Sequence, residues 1–486
     1  MFGTKPWIGL LPVFPVGLIV ALGLARNAEQ ESVTAQSSAA AIEEQELATP
    51  EFDGSGELVS TDDDDAQATP AWPRRYRVDG DDLAGELELH EDGRVEVRGR
   101  TFGGKHAEGE PFAFSGSRAD DGGVQLEQPV KPKKGIRYFL DGLDGERDEP
   151  EPVRTSLNVA DDGTLAGTLL EREVKATPAA ETDDLIALVI PGLSTNIWNQ
   201  YGIPYLDENL GVFAAYGIAA ERVDINTEAG VAENAATIAS AIRAAVERGQ
   251  RVLLFAHSKG GADTVTALSD PANQDLLPHV AGFVAIQPVY AGARISDGIE
   301  SGELIEHIAR IRSERIGKVA EQAVRKVTDA AFEHLLPLIN LKEKDGSAAA
   351  WRDLRTADRQ AALAEHPFPV ERIPTVTVRS SMSGRKLLKM QMPDGERKFR
   401  MGKNALRTPL VVFQRFITSR YGEANDGMVS LEAQAIPGAL ADVVYEDLDH
   451  FEPGVRGESA ITPTRLTQDA LERVLPLLKP AVPARD

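Results

Sequence analysis

The residues best suited to chemistry surround a serine, in the run Ala256-His257-Ser258-Lys259-Gly260-Gly261. A serine hydroxyl becomes a nucleophile when it is exposed, when a base takes its proton and when N–H groups meet the developing oxyanion. The run follows an apolar segment, 251–256, and precedes a helical one, so a sharp strand-to-helix turn is expected. Such a turn crowds the backbone and needs small residues two positions before and after the serine. Ala256 and Gly260 meet this need, so Ser258 is predicted to be a nucleophile.

A histidine and an acid that could activate this serine follow it in the chain. His450 comes directly after the apolar run 442–445, and Asp426 lies before that run in an Asn-Asp-Gly turn. Asp449 is the alternative acid, but its adjacency to His450 places it badly for reaching the far ring nitrogen. His257 should point away from the serine in a tight turn and pack beside the site.

These motifs, in the order serine, acid, histidine, resemble the α/β-hydrolase superfamily and in particular its lipase-like and esterase-like serine hydrolases. Alanine replaces the first glycine of the usual G-x-S-x-G pattern. The resemblance covers residues 183–480. It implies that Ser258 is the nucleophile, His450 the general base and Asp426 the acid that orients the histidine, with no metal and no cofactor.

The resemblance also implies an oxyanion loop after the first strand of the fold, where Pro191-Gly192-Leu193 follows an apolar run. The family often has His-Gly at this point, so Pro191 departs from its pattern. The backbone N–H groups of Leu193 and Lys259 are the expected oxyanion donors. A Pro-Gly turn without a role is the alternative interpretation.

The elements that must position these residues are apolar runs of strand length separated by helical segments. Runs buried on both faces and alternating with helices predict a mostly parallel sheet covered by helices, the α/β class. Ligands in such folds bind at the carboxyl ends of the strands, where the motifs lie. The runs are 185–190, 222–226, 251–256, 280–286, 375–378 and 442–445.

Residues 73–180 have a different pattern, with short alternating strands around Asp-Gly turns. The segments beside Asp92-Gly93 and Asp162-Gly163 predict antiparallel hairpins, and Asp121-Gly122 marks a third turn. The pattern predicts a small all-β accessory domain, a sandwich or a barrel. It could bind a protein partner or a glycan, and its sequence does not choose between them.

Two insertions interrupt the predicted α/β domain, residues 181–486. The first, about 291–370, is amphipathic and helical, and it is interpreted either as a mobile lid that favours lipid-like esters or as a fixed cap. The second, 384–407, holds eight Lys or Arg residues against two acids. It could rest on anionic lipid, meet a negatively charged substrate or form a solvated hairpin.

The chain of 486 residues carries a formal net charge of −24 and contains no cysteine. The charge argues against a general nucleic-acid binder, because neutralising phosphates requires a surplus of basic residues. The missing cysteine excludes disulfides, Cys-ligated zinc, iron–sulfur clusters and a cysteine nucleophile.

The N-terminal residues predict a link to a membrane. Residues 6–25 carry no charge and lie between Lys5 and Arg26, so residues 1–26 are interpreted as a signal anchor or a cleavable signal peptide. Residues 27–72 hold twelve acids and no Lys or Arg, which predicts a disordered tether, with cation binding as the alternative. The folded domains would then lie outside the cytoplasm, anchored or secreted. Because the tether would serve as a spacer between a membrane and the folded domains, a retained anchor is preferred slightly over a cleaved signal peptide.

Three functional hypotheses remain open from the sequence. The first is hydrolysis of an ester or lipid-like small molecule through an acyl-enzyme on Ser258, His450 and Asp426. The second is a membrane-tethered binding or scaffold protein whose hydrolase fold has lost its chemistry. The third is an acyltransferase that uses the same three residues.

Overall fold

A computed structural model describes most of the chain from residue 73 onward. The signal segment 1–26, the acidic tether 27–72 and the basic insertion 384–407 lie outside the described residues, as do the turns at 121–122 and 162–163 and residues 315–346 of the first insertion. Within the described residues no helix is long and apolar enough to cross a bilayer. The described ranges are 73–104, 106–119, 123–128, 153–159, 164–179, 182–193, 195, 203–314, 347–382, 410–457 and 459–480.

The predicted all-β domain is a closed barrel of eight strands in sequence order, with every neighbouring pair antiparallel. Alternate side chains point inward and form one apolar cluster that includes Leu87, Val97 and Leu157. Of the two predicted arrangements, the barrel is therefore confirmed. The strands are β1 Arg74–Gly80, β2 Leu83–Leu89, β3 Arg94–Thr101, β4 Glu110–Arg118, β5 Val124–Gln128, β6 Val153–Val159, β7 Leu165–Leu169 and β8 Arg172–Pro178.

The remaining described strands form a six-stranded, wholly parallel sheet. The strands are β9 Leu185–Ile190, β10 Ala219–Arg222, β11 Arg251–His257, β12 Val280–Ile286, β13 Thr375–Ser381 and β14 Ala441–Glu446. Their order in the sheet is β10-β9-β11-β12-β13-β14. We call the described residues from 185 to 480 the sheet region and the described residues from 74 to 178 the barrel. The parallel α/β architecture predicted from the apolar runs is confirmed.

The second of these strands lies earlier in the chain than predicted. The sequence indicated a strand over 222–226, but β10 ends at Arg222, where it pairs with Val189. β10 is an edge strand whose residues alternate between exposed and half-buried positions, so it lacks the apolar signal of a central strand. Val223, which suggested the strand, instead packs into the core just after the strand ends.

Helices cover both faces of the sheet, because successive residues of each strand point to opposite sides. The helices are α1 Asp207–Ala215, α2 Val231–Glu247, α3 Lys259–Ser269, α4 Arg294–Ser301, α5 Glu303–Glu314, α6 Ser347–Asp353, α7 Thr356–Glu365, α8 410–421 and α9 Pro463–Val474. In β9, Leu185 and Val189 face one cluster, with helices α1 and α9, while Ile186 and Leu188 face another, with α2 and α3.

The barrel and the sheet region share part of one apolar core. Ala84 and Phe102 of the barrel belong to the same buried cluster as Leu206 and Val455 of the sheet region. The Nε2 amide of Gln468 also donates a hydrogen bond of 2.8 Å to the backbone carbonyl of Leu83. The two regions are therefore packed together rather than only linked by the chain.

Candidate active site

Ser258 lies on the sharp turn between β11 and α3 that the sequence predicted. Its backbone has φ 58° and ψ −125°, a conformation that non-glycine residues rarely adopt. The surroundings explain the need for small neighbours, because a Cβ at Gly260 would lie 2.6 Å from the carbonyl oxygen of Pro191. Ala256 is fully buried in the sheet. The strained turn presents the serine hydroxyl at the carboxyl end of a central strand.

The structure brings Ser258, His450 and Asp426 together. The Nε2 atom of His450 lies 2.7 Å from the Ser258 hydroxyl oxygen, and its Nδ1 atom lies 2.7 Å from Oδ2 of Asp426. Relative exposures are 7% for Ser258, 2% for His450 and 0% for Asp426. A neutral imidazole in this line carries its proton on Nδ1, facing the carboxylate, and leaves Nε2 free to accept the serine proton.

Asp426 is fixed by the turn that carries it. Its Oδ1 atom accepts hydrogen bonds from the backbone N–H groups of Met428 at 2.9 Å and Val429 at 2.8 Å. The Gln434 amide donates to Oδ2 at 3.2 Å, and the backbone N–H of His450 donates to the Asp426 carbonyl at 3.0 Å. The acid loop and the histidine turn are therefore joined both through side chains and through the backbone.

Asp449, the alternative acid, has a different place in the structure. Its Oδ1 atom accepts the backbone N–H groups of Phe451 and Glu452, each at 3.0 Å, and its own N–H donates to the Glu452 carboxylate at 3.1 Å. These bonds shape the turn that follows β14 and present His450 toward Ser258. Asp426 is thus the carboxylate that meets the His450 ring.

The two residues expected to supply oxyanion donors, Leu193 and Lys259, belong to segments next to Ser258. A Cβ at Gly192 would lie 2.9 Å from the Ser258 Cβ, so the loop that carries Gly192 and Leu193 passes close to the serine side chain. Lys259 follows Ser258 directly and opens helix α3, whose first backbone N–H groups have no acceptor within the helix. Their role as oxyanion donors stays a prediction.

His257 packs beside the site, as predicted. Its ring centroid is 5.1 Å from that of His450, and it contacts Tyr205 and Gln287 through its two nitrogens. Burial lowers the pKa of His257 to about 3, with the neighbouring His450 as a further cause. His257 is therefore a neutral imidazole at any pH near 7. No motif in the sequence marked Tyr205 or Gln287.

A buried ion pair supports the start of helix α3. The Lys259 ammonium lies 2.9 Å from both carboxylate oxygens of Asp263, one turn along the helix, and the Asn234 amide donates to the same carboxylate at 3.0 Å. Relative side-chain exposures of the pair are 1% and 0%. Burial raises the pKa of Asp263 to about 6, although Lys259 acts in the opposite direction. The i,i+4 spacing of Lys259 and Asp263 was the available sequence signal.

The described part of the first insertion forms helices that pack next to the site. Ile299 of α4, Leu304 of α5 and Phe416 of α8 form an apolar cluster against which Leu193 and Met428 pack. Arg294 of α4 binds Glu423 at 2.8 Å, next to the acid loop. The insertion is therefore packed next to Leu193 and next to the loop that carries Asp426.

Among the described residues, a group that could hold a metal lies on the barrel, away from Ser258. Glu88, His90 and Glu96 offer ligand atoms close to one another. The Arg94 guanidinium already binds Glu96 at 2.8 Å and approaches His90 Nδ1 at 3.5 Å. A cation there would compete with this arginine.

Comparisons with known proteins return structural matches only. No protein-family model and no curated protein matches the chain. A metagenomic carboxyl esterase is similar at 19% identity over 62% of this chain and 77% of its own, with a TM-score of 0.42. The mature lipase BlEst2 of Bacillus licheniformis is similar at 17% identity over 61% of this chain and 95% of its own, with a TM-score of 0.36. Lipase 1 of Pelosinus fermentans shows 14% identity, coverage of 60% and 98%, and a TM-score of 0.38.

The chain's own architecture carries the assignment of the fold. A parallel sheet covered on both faces presents a strained serine at the end of β11, the acid follows β13, and the histidine follows β14. This is the chain order of serine, acid and histidine in the α/β-hydrolase fold. The α/β-hydrolase fold that the three sequence motifs predicted is thereby confirmed.

Proposed function

We propose that residues 181–486 form a serine hydrolase domain that cleaves carboxylic esters through an acyl-enzyme. The observation that carries the proposal is the line of two 2.7 Å contacts from the Ser258 hydroxyl through His450 to Asp426. A buried carboxylate, an imidazole and a serine in this order form a proton-transfer system that an ordinary core has no reason to assemble.

In the first half-reaction, the Ser258 oxygen attacks the acyl carbonyl while His450 Nε2 takes the hydroxyl proton. Asp426 holds the proton on Nδ1 and stabilises the imidazolium that forms. The oxyanion is met by the N–H groups of Leu193 and Lys259. When the carbon–oxygen bond to the leaving group breaks, His450 returns the proton to the departing alcohol, and the acyl group remains on Ser258.

In the second half-reaction, water takes the place of the alcohol. His450 accepts a proton from the water as it attacks the acyl carbonyl, and the bond to the Ser258 oxygen then breaks. The carboxylic acid leaves, and Ser258 regains its proton from His450. In both half-reactions the protons are transferred at His450 Nε2 while the Nδ1 proton stays in place, so one arrangement of the three residues serves both.

The test compares Ser258→Ala with the wild type on short p-nitrophenyl esters. The variant should lose roughly four to six orders of magnitude in kcat, because the three residues act as a unit. Ser269→Ala is a matched control, since Ser269 is a buried serine at the other end of the same helix. It should retain wild-type activity.

Reaction with a fluorophosphonate probe gives a second, independent readout. The wild type and Ser269→Ala should be labelled at Ser258, because only an activated serine attacks the phosphorus. A wild type that neither hydrolyses the esters nor takes up the probe would overturn the proposal and favour a non-catalytic binding protein. Transfer of the acyl group to an added alcohol in preference to water would favour an acyltransferase.

A further inference from the structure

A line of buried hydrogen bonds passes through His257, the residue before the candidate nucleophile, and its side chains take no part in the proposed proton transfers. The backbone N–H of Gly192 donates to the Tyr205 hydroxyl at 3.0 Å, and that hydroxyl lies 2.6 Å from Nδ1 of His257. On the other side of the ring, Nε2 of His257 lies 3.0 Å from Oε1 of Gln287. Four segments distant in sequence therefore meet through three side chains.

The line continues to the turn that carries the candidate base. The Gln287 Nε2 group donates to the Asp449 carbonyl at 3.1 Å and to the Ser380 hydroxyl. That hydroxyl in turn donates to the Leu448 carbonyl at 3.0 Å. One end of the line thus holds the oxyanion loop, and the other end holds the two residues that precede His450.

The direction of every bond in the line follows from its ends. Because the Gln287 amide nitrogen faces a carbonyl, its oxygen faces His257, whose Nε2 must then carry the proton. Nδ1 of His257 is left as an acceptor, so Tyr205 donates to it while accepting from Gly192. Burial raises the pKa of Tyr205 well above its ordinary value and lowers that of His257 to about 3. The line is therefore neutral and has a single proton arrangement near pH 7.

The residues of the line are held in demanding positions. Gln287 is fully buried and has φ 43°, in the left-handed region that disfavours a side chain. Tyr205 is packed so closely that a Cβ at Gly454, in the histidine turn, would lie 2.5 Å from its ring. The neighbouring Leu206 N–H also donates to the Gly454 carbonyl at 2.8 Å. The strained backbone of Gln287 and the close packing of Tyr205 therefore both lie where the oxyanion loop meets the histidine turn.

We propose that Tyr205, His257 and Gln287 are positioning residues that set the oxyanion loop and the histidine turn at a fixed separation around Ser258. The inference rests on the proposed serine hydrolase function. Its physical basis is that a misplacement of about 1 Å in a reacting group can cost roughly 100-fold in rate. A hydroxyl that fixes the Gly192 peptide also fixes the next residue, Leu193, whose N–H is the proposed oxyanion donor.

Tyr205→Phe is the variant that tests this role, since it removes one hydroxyl and keeps the ring against Gly454. It should lower kcat on a p-nitrophenyl ester by about 10- to 100-fold while KM changes less than twofold, because the loss falls on the transition state. An alkylboronic acid, whose serine adduct places an oxygen at the oxyanion position, should bind weaker by the same factor. Tyr445→Phe is the matched control, since it removes a hydroxyl bonded to Asp469 at 2.6 Å, away from Ser258.

Each outcome decides for or against the positioning role. Equal kcat values for Tyr205→Phe and Tyr445→Phe, or a fall in kcat with unchanged boronate affinity, would overturn it. If Tyr205→Phe does not fold, Gln287→Met breaks the same line from the other side at nearly constant volume and should give the same paired loss. The wild type is assayed first with ester and fluorophosphonate, so an inactive wild type contradicts the proposed function and not the line alone.

Discussion

The barrel and the sheet region place their polar side chains in opposite ways. The barrel interior is an apolar cluster, and ion pairs such as Arg94–Glu96 lie on its surface, with side-chain exposures of 55% and 24%. The sheet region instead buries polar side chains at the carboxyl edge of its parallel strands. They include His257, Ser258, Lys259, Asp263, Gln287, Asp426, Asp449 and His450.

Burying such groups is costly unless each one is hydrogen-bonded or paired. In the sheet region, hydrogen bonds between loops satisfy many of these buried groups. Some of the same bonds place His450 and Asp426 next to Ser258. Among the barrel residues that the structure describes, the inward-facing side chains form the apolar cluster, and charged side chains such as Arg94 and Glu96 lie outside it. The difference indicates that buried, hydrogen-bonded polar groups, rather than polar residues as such, mark the candidate active site.

The largest effect that would sharpen this contrast is expected for Asp426→Asn. If the new amide nitrogen faces His450, the ring must hold its proton on Nε2 and can no longer accept one from Ser258. If the amide is turned over, its N–H groups meet the N–H groups of Met428 and Val429. The kcat for a p-nitrophenyl ester should fall by roughly 10⁴-fold, with folding checked by circular dichroism.

Glu96→Gln makes the same carboxylate-to-amide change on the barrel and serves as the control. Glu96 binds Arg94 and Arg98 on the surface, so its loss should leave kcat within a factor of about two. Comparable activity in Asp426→Asn and Glu96→Gln would contradict both the role of Asp426 and the contrast between the regions.

The buried ion pair in α3 provides the next largest effect, on stability. Asp263→Ala leaves the Lys259 ammonium without its carboxylate inside the protein, so the free energy of unfolding should fall by about 3–5 kcal/mol in urea titrations. Glu96→Ala, which removes one partner of a surface pair, should cost less than about 1 kcal/mol.

A double variant separates the lost pair from the lost volume. Lys259→Met with Asp263→Leu removes both charges together and should recover most of the stability that Asp263→Ala loses. If Asp263→Ala is no more destabilising than Glu96→Ala, the buried charges of the sheet region are not costly and the comparison fails.

The sequence predicted the elements whose signals are local. The Asp92-Gly93 hairpin is read from neighbouring residues, and the central strands from continuous apolar runs. Ser258, Asp426 and His450 could be found because each is tied to the end of a strand or to a turn with a recognisable pattern. The structure brings the His450 ring within hydrogen-bond distance of the other two side chains, and the catalytic roles of all three stay a prediction.

What escaped prediction depends on contacts between distant segments. Tyr205 meets His257 across 52 positions of sequence, and no motif marks Tyr205. In the sequence, Gln287 is marked only by its position after an apolar run, although in the structure its backbone is strained and its amide joins two loops. β10 was misplaced because the partner that defines an edge strand lies elsewhere in the chain. Periodicity reports burial, and it does not report which buried groups meet.

The pH dependence of stability should distinguish the buried histidine from those at the surface. Burial depresses the pKa of His257 from 6.5 to about 3. Below pH 6.5, His257 of the unfolded chain therefore binds a proton, whereas His257 of the folded protein does not. Stability is therefore kept above pH 6.5 and falls as the pH drops. The share lost by pH 5 is about 2 kcal/mol.

Urea titrations of His257→Gln between pH 7 and pH 5 measure this contribution. The variant should lose less stability than the wild type over the interval, by about 2 kcal/mol. His366→Gln changes an exposed histidine outside the buried network and serves as the control. Parallel curves for the wild type and His257→Gln would show that His257 takes up a proton in the folded protein.

The smallest effect concerns an ion pair that joins the barrel to the sheet region. Arg456, in the loop after His450, binds Glu208 of the sheet region at 2.6 Å and Asp82 of the barrel at 2.8 Å. Asp82→Asn keeps a side chain that tolerates φ 52° and leaves the bond to Glu208 intact, so it should cost only about 0.5–1 kcal/mol in urea titrations. The adjacent exposed Asp81→Asn is the control and should cost less. A loss of several kcal/mol for Asp82→Asn would contradict the contrast between the two regions. The charged contact, and not the shared apolar contacts of Phe102, would then hold the barrel against the sheet region.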